Sequence, residues 1–355
     1  MENSTRNSSL HTTSGDLISQ FSENPIGSIP LACLYSVISF IAVFGNLLVI
    51  TAVIWDHTLR SYTSNYFLAN LAVADFFQGA VAIPLRILEV MALEYNPNVF
   101  CRIAIPTSIL FGGSSNLAIL VISIDRFLAV QYPYIYVRCS NSKFIFSAIA
   151  CAWSVAFVLS ITAASRLVWL SPDIPSRICR FPTYLDQDYI ISMYVLVHVI
   201  PIGTVVLLYG FILKASLRHG RKIHAQKLAA ASCRNTNGEP SINEEVTSSR
   251  TNRRKKRQRD NINHRKAAKT VSIVVGIFIM LVVPIIAIDL AEMLGAPSAP
   301  AVLTRICVFM IYANNCVNVL VYAGFNQDFR RAFKKIIIKF FRSSFGVGSH
   351  RWSEI

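Results

Sequence analysis

The sequence predicts an all-α membrane protein: a seven-transmembrane helix bundle plus a short amphipathic cytoplasmic helix. Three observations carry this expectation. Apolar residues make up 53% of the chain and charged residues only 15%, against roughly 25% charged in an ordinary soluble domain. Seven apolar runs reach the roughly 20 residues that a helix needs to cross about 30 Å of hydrocarbon. Basic residues gather on one side of those runs.

The runs come in order. Residues 31–54, 103–124, 144–165, 189–213, 270–288 and 306–325 contain no Asp, Glu, Lys or Arg. Residues 66–85 form the second run and contain one, Asp75. Of the 34 Lys and Arg residues, only Arg6, Arg86, Arg102, Arg166, Arg177, Arg180 and Arg305 fall on the side of the amino terminus. The basic side of a membrane protein is cytoplasmic. The amino terminus is therefore expected outside and the carboxyl terminus inside, with the chain multi-pass in the plasma membrane. The formal net charge of +15 would suit a nucleic-acid partner. Its one-sided placement argues for membrane lipid instead, with no nucleic acid.

Residues 1–27 are expected as an extracellular tail. They hold two glycosylation sequons, at Asn3 and Asn7, which suit an outer location. Residues 28–325 form the bundle. Within it, 214–269 is expected as a disordered basic cytoplasmic loop with the run Arg253-Arg254-Lys255-Lys256-Arg257, which reads as a solvated segment near anionic lipid. Residues 326–342 place Phe329, Phe333, Ile336, Ile337 and Phe340 at helical spacing with basic residues between them. That pattern is a helix lying on the inner leaflet. Residues 343–355 are a cytoplasmic tail. Of the eight cysteines, only Cys101 and Cys179 are expected on the oxidising side outside the runs, so a disulfide is expected between them.

Two polar groups lie where burial is costly. Asp75 sits in mid-run, where a charge costs roughly 2.5–3.5 kcal/mol on insertion scales. Asn46, Ser115, Asn314 and Asn318 lie at comparable depth on other runs. Together they make either a hydrogen-bonded network around a protonated Asp75 or a site for Na⁺, with Asp75 as the metal ligand. At the inner end of the third run stand Asp125 and Arg126. Arg126 can pair with Asp125 in one state and turn toward Tyr209 and Tyr322 in another, which gives a two-state element. Pro201, Pro284 and the Gly-Gly-Ser-Ser run at 112–115 are expected to interrupt or thin their helices.

Several landmarks now fit one pattern. They are Asn46, Leu71-Ala72-Val73-Ala74-Asp75, Cys101, Asp125-Arg126-Phe127, Trp153, Pro201 with Tyr209, Phe278 with Pro284, and Asn318 with Tyr322. Their order and spacing resemble the rhodopsin-like (class A) G-protein-coupled receptors over residues 29–341. The resemblance implies a receptor, not an enzyme. Such a receptor binds an extracellular small molecule or short peptide and activates a heterotrimeric G protein, needing no cofactor beyond an allosteric Na⁺. It places Arg126, Tyr209, Tyr322 and Lys269 around the G-protein groove. It places Arg86, Glu89, Ser108, Gly112, Phe181, His198, Ile285, Asp289, Val308 and Tyr312 around the ligand.

A partial resemblance to adenosine receptors rests on Ala267-Ala268-Lys269 with Gly276 and Phe278, on Ala74-Asp75 through Ile83-Pro84, and on Phe181. Asp289, Ile286, Tyr312 and Ile311 depart from the adenosine contacts. Further departures from the wider family are Val282 for the usual Trp, Val319 for the usual Pro and Asn116 for an aliphatic residue. Ser108 stands where receptors for biogenic amines carry an Asp. Asp289 and Glu292 are expected to meet either a cationic ligand or Arg305. The alternative function for a multi-span chain is a transporter or channel. Such proteins show charges along a path or paired broken helices, and this sequence has one deep carboxylate and no internal repeat.

Overall fold

The computed structural model describes residues 25–91, 97–169, 179–212, 214 and 273–345. Asn3, Asn7, Lys269 and nearly all of the 214–269 loop lie outside the described residues. Seven helices are long and apolar enough to cross a membrane. They are α1 (Ser28–Trp55), α2 (Thr63–Val90), α3 (Val99–Gln131), α4 (Ser142–Leu167), α5 (Gln187–Ile212), α6 (Ile273–Met293) and α7 (Ala301–Phe325). An eighth helix, α8 (Gln327–Phe345), follows after Asn326. Most of these helices outrun the charge-free stretches of the sequence. A helix does not stop where hydrocarbon does, and charged side chains such as Arg86 and Arg126 ride on its ends.

The α3 helix is the most buried of the seven and forms the axis of the bundle. The others turn small or polar residues inward and large apolar ones outward. On α1, Ala42, Asn46 and Val49 are buried while Phe40, Phe44 and Leu47 are exposed. That is the pattern of a helix with lipid on its outer face. Close approach of α1 and α2 depends on Gly79. A Cβ there would stand 2.7 Å from the Ala42 methyl and 3.2 Å from the Val43 amide nitrogen. The Ser39 hydroxyl donates to the Gly79 carbonyl at 2.8 Å across the same contact. The Trp153 indole donates to the Asn70 side chain at 2.9 Å and ties α4 to α2.

Two helices slip out of the α pattern. Residues Gln78–Ala82 of α2 and Val195–Val199 of α5 form π turns. The Ile83 amide bonds the Gln78 carbonyl, and the Ile200 amide bonds the Val195 carbonyl, each reaching back five residues. Pro84 and Pro201 follow directly. A proline lacks the amide that would continue the ladder, and the turn before it takes up the mismatch. Gly112, Gly113, Ser114 and Ser115 do not interrupt α3, which is helical from Pro97 to Gln131, but they thin it as expected. Neighbouring helices hold the backbone of this Gly pair in place, as the Gly113 side faces Ala156 and Val197.

At the end of the bundle where α7 finishes, α8 buries Phe329, Ala332 and Phe333. Phe329 stacks on Tyr322 with centroids 5.3 Å apart. Lys335 pairs with Asp56 at 3.3 Å, and the Lys339 ammonium lies 5.0 Å above the Trp55 ring. Asp56 also caps the short helix His57–Arg60 by accepting from the Thr58 and Leu59 amides.

Candidate functional site

A cavity of about 350 Å³ opens in the half of the bundle that carries the Cys101–Cys179 disulfide. From α2 it takes Arg86 and Glu89, and from α3 Ser108 and Gly112. From α5 comes His198, from α6 Ile285 and Asp289, and from α7 Val308 and Tyr312. Phe181 enters from the short helix Phe181–Tyr184 ahead of α5. The structure therefore brings together all ten residues that the sequence placed around a ligand. It adds Gln78, Asn116, Arg180 and Tyr194, which sequence reasoning missed. Gln78 and Tyr194 each lie about one turn from a residue already singled out, Asp75 and His198 respectively. Arg180 lies next to Cys179. Helical spacing was the signal that could have found the first two.

The segment 179–182 closes part of the cavity's opening and is tied on three sides. The Cys101–Cys179 disulfide joins it to α3, with Cα atoms 5.3 Å apart, as expected. The Cys179 amide donates to Glu89 Oε1 at 2.7 Å, and Glu89 Oε2 pairs with Arg86 at 2.6 Å. On the far side, Arg180 Nη2 lies 3.0 Å from both Asp289 Oδ1 and Glu292 Oε2. Arg180 thus meets this acidic pair, for which the sequence suggested a cationic ligand or Arg305, itself a lining residue of the cavity. Loop packing decides that choice, and helical periodicity carries no record of it. The second oxygen of Asp289 accepts from the Tyr194 hydroxyl at 2.5 Å.

The floor is polar. Asn116 Nδ2 lies 3.0 Å from His198 Nε2, and the His198 ring packs edge-on against Tyr194. Ser115 lines the cavity and donates downward to Asp75 Oδ1 at 2.7 Å. Asn318 Nδ2 donates to Asp75 Oδ2 at 2.8 Å. Asp75 is wholly buried, and no Lys or Arg among the described residues forms an ion pair with it. Asn46 was expected beside Asp75. Instead its amide bonds the Ala42 and Asn315 carbonyls at 2.8 and 3.0 Å, because α1 packs on α7 at this level. Asn314 is buried and lines the cavity.

Near the carboxyl-terminal end of α3, Asp125 is held by three groups. Arg126 Nη2 lies 3.1 Å from Oδ2, the Ser64 hydroxyl donates to Oδ2 at 2.7 Å, and the Tyr136 hydroxyl donates to Oδ1 at 2.9 Å. Ser64 and Tyr136 were missed, since neither a helix start nor a short connecting helix carries a periodic signal. Burial, and then the Asp125 carboxylate, push the Tyr136 phenol above its ordinary value. It therefore stays protonated and able to donate. Tyr322 is buried and Tyr209 half-buried. The Tyr322 hydroxyl and Arg126 Nε have no hydrogen-bond partner among the described residues. Unmet polar groups of this kind are costly in one fixed arrangement. They suit a site that changes partners.

Comparison with known proteins agrees with this geometry. Residues 45–322 match the family described as 7 transmembrane receptor (rhodopsin family). The chain is 27% identical over 330 residues to the D(1A) dopamine receptor of Didelphis virginiana, covering 86% of this chain and 72% of that one. It is 27% identical over 330 residues to the Alpha-1A adrenergic receptor of Oryzias latipes, covering 88% and 68%. It is 29% identical over 317 residues to the Alpha-1D adrenergic receptor of Mus musculus, covering 83% and 55%. A transporter or channel is set aside by this match. Seven spanning helices, a cavity on one side and a buried Asp-Arg pair on the other lead to one conclusion: the chain belongs to the rhodopsin family of seven-transmembrane receptors.

Proposed function

We propose that this G-protein-coupled receptor lies in the plasma membrane with its amino terminus outside, and that a small molecule or the end of a short peptide occupies the cavity. The volume of about 350 Å³ falls at the small end of the range for ligand sites, roughly 300–1,000 Å³. The observation that best supports the reading is the course of α3. Ser108 and Gly112 line the cavity, and Arg126 stands on the same helix, about five and four turns away from them at 3.6 residues per turn. A ligand that binds one arrangement of the bundle better than another shifts the population toward it. The inner ends of α3, α5 and α7, with Arg126, Tyr209, Tyr322 and Lys269, then form the face for a heterotrimeric G protein.

Asp75 fits an allosteric Na⁺. Its carboxylate and the Ser115 hydroxyl are oxygen donors, which suit a hard cation. A buried carboxylate with no basic neighbour is neutralised by a proton or by a bound cation. The basic inner loops and α8 supply the contact with anionic lipid.

The test is a ligand screen on cells carrying the receptor at matched surface levels, read as G-protein dissociation and including amines and nucleosides. A response in the wild type that Arg126→Ala removes is the expected outcome. Equal responses from both at equal surface expression would sink the assignment of Arg126.

A further inference from the structure

Resting on the reading of the cavity as the ligand site, we infer that its outer rim is a receptor for an organic cation, an amine or guanidine, and that the chain's own Arg180 holds that place until the ligand arrives. Asp289 and Glu292 both stand on α6, one turn apart, and are both largely buried. A single guanidinium nitrogen serves the two of them, 3.0 Å from each. Arg180 is the more exposed partner at 29% of its side-chain surface, against 8% for Asp289. A side chain reaching in from a loop is therefore the replaceable member of the cluster. The acids are built in: Tyr194 donates to Asp289, and the Ala299 amide donates to Glu292 at 2.9 Å. These bonds persist when Arg180 leaves. Uncovered buried carboxylates then favour any cation small enough to enter.

A second observation points to an occupant of the same cavity. His198 and Gln78 line it, each more than nine-tenths buried, and His198 Nδ1 and Gln78 Oε1 have no hydrogen-bond partner among the described residues. A protein seldom leaves such atoms unmet without a ligand or water to meet them. The complementary ligand carries a positive group at the Asp289 end and a neutral hydrogen-bonding group toward His198. The α3 helix offers no acid for the cation, since Ser108 stands at that wall. Charge recognition thus moves to α6. Displacing Arg180 would release the tie between the disulfide-held segment and α6, which couples occupancy to that helix.

The experiment uses the full-length receptor purified in lipid nanodiscs, with thermal unfolding as the readout. The probes are 2-phenylethylamine, 2-phenylethylguanidine and the uncharged 2-phenylethanol. Arg180→Gln is expected to lower the melting temperature without ligand. It is also expected to bind the two cations at least tenfold more tightly than the wild type, with 2-phenylethanol without effect. Adding Asp289→Asn to Arg180→Gln is expected to abolish the cation response. A gain no larger than in the wild type, or an equal gain with 2-phenylethanol, overturns the proposal. If Arg180→Gln is not recovered folded, Arg180→Lys keeps the charge but loses the fork and is expected to show a smaller gain of the same sign. No gain there overturns the proposal as well. Nucleotide exchange on a purified G protein separates the two failures. Exchange driven by the wild type but not by Arg126→Ala, without any cation effect, removes only the ligand class. Exchange that does not depend on Arg126 removes the coupling role itself.

Discussion

Gly45 on α1 faces Val319 on α7 so closely that a Cβ at Gly45 would stand 2.9 Å from one Val319 methyl and 3.1 Å from the other. Val319 is stiff, since a β-branched side chain has few rotamers to retreat into. Gly45→Ala is therefore expected to destabilise the receptor by about 1–3 kcal/mol, the usual range for overpacking. Val319→Ala in the same molecule should recover much of that loss. Melting temperatures of the two single variants and the double variant test this. Purely additive effects would show that the contact is not what Gly45 serves.

Tyr136→Phe removes one of the groups that hold Asp125 and leaves Oδ1 of a buried carboxylate unmet. A lost hydrogen bond of this kind costs about 1 kcal/mol, close to a fivefold change in a two-state population. Basal G-protein activation is expected to rise by about that factor, and Ser64→Ala should act in the same direction. Because the Tyr136 phenol is raised above its ordinary value, its contribution is fully present below about pH 10. It is lost only as pH rises through the folded value. The effect of the substitution should be the same at pH 6 and pH 8.5. A basal rate that Tyr136→Phe leaves unchanged at matched expression would refute the role.

Asp75→Asn replaces the buried carboxylate by a neutral amide. If Na⁺ binds there, agonist affinity in the wild type should fall as Na⁺ replaces a large organic cation at constant ionic strength, and the variant should show no such dependence. Ser115→Ala should weaken the ion effect without abolishing it, since Asp75 remains. A wild type indifferent to Na⁺ leaves Asp75 as a protonated member of the polar network.

The contact of Asp56 with α8 can be separated from its capping role. Burial raises the Asp56 carboxyl, but the Lys335 bond and the Leu59 and Thr58 amides outweigh it and hold the carboxyl below the usual carboxylate range. The stabilisation is therefore present above about pH 3.9 and lost as pH falls through the lower folded value. Asp56→Asn keeps the cap and loses the charge, so it should cost only a few tenths of a kcal/mol, as exposed pairs do. Asp56→Ala loses both and should cost about 1 kcal/mol. Equal losses from both, measured by thermal unfolding, would assign the whole effect to the ion pair.

Much of the fold was legible because a membrane imposes a strict rule. Charge-free runs of sufficient length must be helices, and the described spans stand where those runs stand. Helix ends were less legible, since Arg86 and Arg126 are tolerated near the membrane faces. The ten cavity residues followed from the positions that the family resemblance implies, while the π turn that aims Arg86 and Glu89 inward left no mark in the sequence. Contacts set by loop packing were hidden: Arg180 on Asp289, and Tyr136 on Asp125. Asn46 showed the limit of arguing from depth alone. It lies near the level of Asp75, yet the path of α1 gives it to the Asn315 carbonyl.

The π turn at Gln78–Ala82 has a geometric consequence for the outer end of α2. One additional residue in a turn rotates everything beyond it by about 100°, the angular step of an α-helix. Arg86 and Glu89 lie beyond that turn. In a regular helix their azimuth would differ by more than a quarter of a circle, away from Cys179 and the interior. Deleting a single residue at Val81 would then unwind the offset and swing both side chains around the helix axis, even though every side chain contacting Cys179 remained in the sequence.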